Sequence, residues 1–256
     1  MLRRTHRRRA ALAAAAALLL AAPAASQAFT GPVSPAAPAA ATPVAPTAEL
    51  AWTARILGPT LARSAPRETA SVRARLQHYT AFWRRPQKLL VLAPPEVDPV
   101  TGASWVPVRL PGRPNGSMGW VPVDEVSLAT TDVRIRVLVG ARRVELYRGG
   151  LPVAGFRAAV GTSGTPTPTG LFAVQDLVPS SAANRRSLGR YILTLTAYSN
   201  VLKTFMGGNG LVAIHGSPTT SVLGRAVSHG CIRISNPAIT RLYRLAQPGT
   251  PVEIVP

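Results

Sequence analysis

Apolar and polar side chains alternate most regularly in the second half of the chain. Val133-Arg134-Ile135-Arg136-Val137 sets every second residue on an apolar face, the period of a strand with one side buried. Gly140-Ala141-Arg142-Arg143 turns it, and Val144-Glu145-Leu146-Tyr147 returns. Gly149-Gly150 turns the chain again, and Val153 to Val160 predicts a third strand. Leu171 to Val174 and Tyr191 to Tyr198 predict two more. Leu211-Val212-Ala213-Ile214 is a continuous apolar run, read as a buried strand whose end carries His215. Asn236-Pro237 reads as an N-cap and a first-turn proline. Ala238, Ile239, Leu242, Tyr243 and Ala246 then share one helical face until Pro248-Gly249 stops the helix. Val252 to Val255 predicts the closing strand. Between these elements Asp176 to Arg190 has no period, and its Ser180, Ser181, Asn184, Arg185 and Arg186 predict a polar loop of the lid or binding type.

The first half is patterned more weakly. Lys88 to Leu92, Trp105 to Leu110 and Gly119 to Val123 read as short strands, with Pro114-Asn115-Gly116-Ser117 as a turn. Short strands with Gly/Pro turns predict a small barrel over residues 50–129. Before it, Phe29 to Ala48 is dominated by Pro, Ala and Thr and buries too little to offset its ordering entropy, so residues 29–49 read as a linker. At the start, five arginines among the first nine residues precede the apolar run Ala10 to Ala22 and the small residues of Ser26-Gln27-Ala28. That is the build of a secretory signal peptide over residues 1–28, and it predicts export, with membrane contact only during export.

Composition adds two constraints. The net charge is +19, carried almost wholly by arginine, since Lys88 and Lys203 are the only lysines. The arginines are spread along the chain with no nucleic-acid-binding motif among them, so no nucleic-acid partner is expected. Attraction to a polyanionic wall surface and a merely arginine-rich solvated surface both suit such a charge, and charge alone does not separate them. Cys231 is the only cysteine, so no internal disulfide can brace the fold, and an exported free thiol calls for a use.

That cysteine lies in Val212 to Ile234, which also contains His215 and His229, each followed by a glycine, Gly216 and Gly230. A thiol near an imidazole points to nucleophilic catalysis with a histidine base. Sequence distance does not select between His215 and His229. Two other readings use the same residues: a zinc site of His215, His229 and Cys231 lacking its fourth ligand, and a non-catalytic wall-binding protein.

His215-Gly216, a loop, and Ser228-His229-Gly230-Cys231-Ile232-Arg233 resemble the signature of the L,D-transpeptidase catalytic domain, the YkuD-like family. Gly161 to Gly170 resembles the Gly-Thr…Thr-Pro-x-Gly loop of the same family, which lies beside its active site. The resemblance implies a mostly β fold: a β-sandwich catalytic domain over residues 130–256 with one helix after the cysteine. The Gly119-Trp120-Val121 pattern similarly resembles a bacterial SH3-like barrel ahead of it. It assigns Cys231 as nucleophile and His215 as base, with the Gly216 carbonyl orienting the imidazole. It places an oxyanion hole on the backbone N–H groups of His229, Gly230 and Cys231, makes Ser228 a supporting residue, and suggests Arg233, Thr165 and Tyr198 as substrate contacts. The implied reaction is acyl transfer on peptidoglycan stem peptides through a thioester, by a monomer in the periplasm or cell wall, without metal or cofactor. An acceptor amine would make a cross-link and water would make a carboxypeptidase; carbapenems would acylate Cys231.

Overall fold

The computed structural model describes residues 42–256. The segment read as a signal peptide and most of the linker lie outside those residues. Eight strands precede Asp132: β1 (Ala51–Ile56), β2 (Thr60–Arg63), β3 (Val72–Leu76), β4 (Lys88–Leu90), β5 (Glu96–Val97), β6 (Ser104–Arg109), β7 (Met118–Pro122) and β8 (Val126–Thr131). They form a three-stranded sheet, β4-β1-β8, and a five-stranded one, β3-β2-β7-β6-β5. Trp52, Ile56, Leu76, Leu89, Val106, Val108 and Val121 close a single core between them. The expected turn at Pro114 to Ser117 joins β6 to β7, whose register runs from Trp105 opposite Pro122 to Arg109 opposite Met118.

Only Asp132 separates this half from the next. Then follow β9 (Val133–Leu138), β10 (Arg143–Arg148), β11 (Leu151–Arg157), β12 (Val160–Gly161), β13 (Gly170–Pro179), α1 (Arg185–Leu188), β14 (Tyr191–Tyr198), β15 (Leu211–Ser217), β16 (Ala226–Ser228), β17 (Ile232–Ser235), α2 (Asn236–Leu245) and β18 (Pro251–Val255). Eight of these strands make one mixed sheet, β11-β10-β9-β18-β13-β14-β15-β17, in which β9/β18 and β15/β17 are parallel pairs. The pivot is β13. Its first half pairs with β18, its second with β14, and the register shifts at a bulge between Val174 and Asp176. The sheet bends there until its outer strands β11 and β17 pack together, bridged by Ala159 and Arg233. Ile135, Val137, Phe172, Leu193, Ile214, Ile232 and Ile234 fill the interior with α2.

Two sequence expectations shift. Asp176 is not in a loop but fully buried within β13, because its carboxylate accepts the backbone N–H groups of Leu177 (2.8 Å) and Trp83 (3.2 Å). The polar loop therefore starts after Pro179 and contains the one-turn helix α1. The N-cap of α2 is Ser235, whose hydroxyl accepts from Ala238 N–H at 3.4 Å, rather than Asn236. Asn236 stands one residue inside the helix, and its side chain reaches instead to Arg190 N–H at 2.9 Å.

The two halves are joined by more than chain continuity. Ala51, Leu90 and Ala173 form a small shared core, and Arg85 donates to the Tyr243 hydroxyl at 2.8 Å. Residues Ala41–Pro256 form one unit. Among the described residues no helix is long and apolar enough to cross a membrane.

Candidate active site

In β15 every residue from Val212 onward is buried, the burial expected of a strand covered on both faces. Alternation sends Ile214 into the core and His215 to the opposite face. The parallel register sets His215 beside Arg233 and Ile214 beside Ile232. Continued by one residue, it sets Cys231, at the entrance to β17, beside Ala213. Cys231 and His215 thus share one sheet face, two registers apart, although sixteen residues of chain separate them.

His215 is 3% exposed, and its Nδ1 lies 2.8 Å from the Gly216 carbonyl oxygen. A carbonyl only accepts, so Nδ1 carries the hydrogen and Nε2 keeps its lone pair. Burial lowers the His215 pKa from 6.5 to about 4, assisted by the Arg233 charge and opposed by the Gly216 and Leu188 carbonyls. The imidazole is therefore neutral at any pH near 7. Cys231 is half-buried. Burial pushes its thiol up, against the smaller pull of the Ala213 N–H and the Arg233 guanidinium. The resting pair is an uncharged thiol beside an uncharged imidazole.

The turn carrying the thiol is braced from within. Ser228 Oγ donates to the Cys231 carbonyl at 2.6 Å and accepts from Gly230 N–H at 3.2 Å. Gly230 adopts φ +113°, a region closed to most side chains. The loop after β12 supplies the outer brace. Thr165 Oγ1 donates to the Ser228 carbonyl (3.2 Å), and Thr167 Oγ1 donates to the Gly230 carbonyl (3.0 Å) while accepting Gly161 N–H (2.9 Å). Thr165, a residue the family resemblance suggests as a substrate contact, also braces the turn. Thr167 was not singled out from sequence at all. A Cβ on Gly161 would fall on the Thr165 carbonyl oxygen and within 2.5 Å of Thr167 N. Gly161→Ala is expected to cost about 1–3 kcal/mol as the loop is forced outward. Acylation of Cys231 should slow roughly a hundredfold as the turn loses its brace. Urea denaturation and acylation rates check both.

The packing around Gly216 also escaped sequence reading. A Cβ on Gly216 would meet Asn236 Oδ1 at 2.5 Å and Gly189 Cα at 3.0 Å, so the β15 end, the α1 loop and the α2 start touch at a point where only glycine fits. That contact sets the Leu188 carbonyl near the His215 ring. His229 is exposed and stacks on Phe205, with ring centroids 4.7 Å apart. Among the described residues no three His, Cys, Asp or Glu side chains gather as a metal site. Arg233 Nε is buried without a hydrogen-bond partner. Tyr198 lines a cleft of about 350 Å³ with Arg113, Pro114, Asn115, Ser199, Asn200 and Lys203, and its ring lies under the Arg113 guanidinium at 4.7 Å.

Comparison with known proteins supplies the family. The model of the YkuD family, described as the L,D-transpeptidase catalytic domain, matches residues 132–254. A Bacillus licheniformis protein carrying the name L,D-transpeptidase YkuD is 33% identical over 127 residues, which cover 50% of this chain and 68% of that protein. Among solved structures, an Enterococcus faecium L,D-transpeptidase aligns at 21% identity and TM-score 0.38 over 48% of this chain and 49% of its own. One from Mycobacterium tuberculosis aligns at 16% identity and TM-score 0.41 over 70% of this chain and 99% of its own. The chain thus spans about half the length of the Enterococcus protein. On the family-model match and the Bacillus relative, this chain belongs to the L,D-transpeptidase catalytic domain (YkuD) family.

Proposed function

We propose that this chain is an exported peptidoglycan L,D-transpeptidase of the periplasm or cell wall, with Cys231 as nucleophile and His215 as general base. The observation that carries the reading is the state of His215. A neutral imidazole, fixed through Nδ1 by the Gly216 carbonyl, keeps its Nε2 lone pair on the sheet face shared with Cys231. A thiol held protonated by burial needs such an acceptor at the moment it attacks.

The acyl donor is a stem peptide. Cys231 Sγ bonds to the carbonyl carbon of its third residue, at the L-centre of diaminopimelate, as the thiol proton passes to His215 Nε2. The carbonyl oxygen becomes an oxyanion. Gly230 N–H is engaged by Ser228 Oγ, so the His229 and Cys231 N–H groups are the donors that face the new charge. Collapse breaks the C–N bond, His215 returns its proton to the departing D-alanine amine, and a thioester remains. An acceptor amine then adds to the thioester and gives its proton to His215. The sulfur leaves as thiolate and is reprotonated by His215, completing the cross-link. Throughout, the Arg233 charge lowers the cost of negative charge on sulfur. Its unpartnered Nε, together with Lys203 of the cleft, suits the carboxylates of a stem peptide.

The test is intact mass after incubation with a carbapenem, paired with an assay of D-alanine released from a disaccharide tetrapeptide. One drug-sized adduct per chain, with D-alanine release from the peptide, is expected. A reduced thiol that takes neither acyl group would overturn the reading.

A further inference from the structure

The loop Ser199 to Gly210, between β14 and β15, is held from the other half of the molecule. Arg113, in the turn between β6 and β7, donates to the carbonyls of Ser199 (3.1 Å), Leu202 (3.0 Å) and Asn209 (2.8 Å), so one guanidinium ties both ends of the loop. Two residues on, Asn115 pairs with the Tyr198 backbone in both directions, accepting its N–H at 2.8 Å and donating to its carbonyl at 2.7 Å. Its amide also donates to Asn200 Oδ1 at 2.9 Å. The loop tip is a tight turn in which Phe205 and Gly208 exchange backbone hydrogen bonds around Met206 (φ +48°) and Gly207 (φ +78°). That turn delivers Phe205 onto the His229 imidazole, two residues before the nucleophile.

We propose that Arg113 and Asn115 are positioning residues of the active site. Through the Ser199 to Gly210 loop they hold Phe205 against His229 and so fix the outer side of the turn that carries Cys231. Ser228, Thr165 and Thr167 brace that turn from the inside. Nothing among the described hydrogen bonds holds the His229 side chain, so the Phe205 stack is its restraint. Phe205 is 40% and Met206 91% exposed, so burial alone does not anchor the loop tip. Its position depends on the fan of bonds that Arg113 and Asn115 of the N-terminal half make at its base. Release of those bonds frees the loop, and the His229 N–H loses its fixed aim at the reacting carbonyl.

The rate consequence rests on the transpeptidase reading; the contact itself does not. Its test compares the parent, Arg113→Ala with Asn115→Ala, Asn115→Asp, and Phe205→Ala. Two quantities are read: the proton NMR signal of the His229 imidazole, displaced by the Phe205 ring current, and the second-order rate of carbapenem acylation. The double variant and Phe205→Ala should move the His229 signal in the same direction and slow acylation roughly ten- to a hundredfold. Asn115→Asp, which keeps the acceptor for Tyr198 N–H, should fall between them and the parent. Phe205 sits on an exposed loop, so its variant reports even where the double variant folds poorly. An unmoved His229 signal in a folded double variant overturns the proposal at any rate, and so does a moved signal with the parent rate. A parent that is never acylated removes the transpeptidase reading and this role together, an outcome recognised because the parent itself is inert.

Discussion

Cys231→Ala should lose carbapenem acylation and D-alanine release by at least ten-thousandfold, to the background of the assay, while the protein still folds. Acyl transfer needs an atom that can both attack a carbonyl and leave again, and the Cys231 sulfur is the only thiol in the chain. Removing a covalent nucleophile costs catalysis on the order of ten-thousandfold or more, because the remaining groups have nothing to activate. The substitution deletes one half-buried atom from the edge of the core, outside the apolar clusters, and should change stability by about 1 kcal/mol or less. The backbone bonds that shape the turn, from Ser228 Oγ and Thr167 Oγ1 to main-chain atoms, do not involve the sulfur and remain. Intact mass after carbapenem treatment and a urea melt read the two halves of the prediction. An adduct that persists on the variant would place acylation on another residue and end the assignment of Cys231.

Much of the fold around this candidate site is legible in the sequence. Alternation located β9 and β10 because each turns one face to the core and the other outward. Leu211 to Ile214 located β15 because a strand buried on both sides has no polar face to display. What stayed hidden depends on register between distant segments. Nothing local to Thr167 says that the chain will bring it to the Gly230 carbonyl, sixty-three residues away. Asp176 looks like loop chemistry until Trp83, ninety-three residues earlier, arrives to donate to it. Asn236 has the composition of a cap, and only the position of Arg190 shows why it serves elsewhere. The clamp at Arg113 and Asn115 is the extreme case. Pro114-Asn115-Gly116-Ser117 reads as a turn and is one, yet its partner Tyr198 lies eighty-three residues away.

His215 should separate chemistry from reactivity in a way no other residue does. His215→Ala is expected to slow carbapenem acylation about a thousandfold, within the range that general bases contribute. Alkylation of Cys231 by iodoacetamide above pH 9 should change little, because hydroxide can then ionise the thiol without a base. Near pH 7 the parent should alkylate slowly, since its thiol is held protonated and the pair is uncharged. The parent's acylation should stay flat from pH 8 down to about 5 and fall through an acid limb near 4, where the imidazole at last takes a proton. Stability follows the same group. The unfolded chain protonates this histidine below 6.5 and the folded chain only below about 4, so the unfolded state holds the extra proton in that window. The contribution is present above pH 6.5, is lost as the pH falls toward 4, and amounts to about 3 kcal/mol in all. Urea melts at pH 7 and pH 4.5 should show a steeper acid loss in the parent than in His215→Ala, by about 2 kcal/mol. An acid limb near 6.5, or equal acid losses in the two proteins, would mean that His215 is solvated and readily charged, and the neutral thiol–imidazole pair would have to be abandoned. The two readouts bear on one physical cause. Burial that keeps His215 neutral enough to accept the thiol proton also makes the fold sensitive to acid.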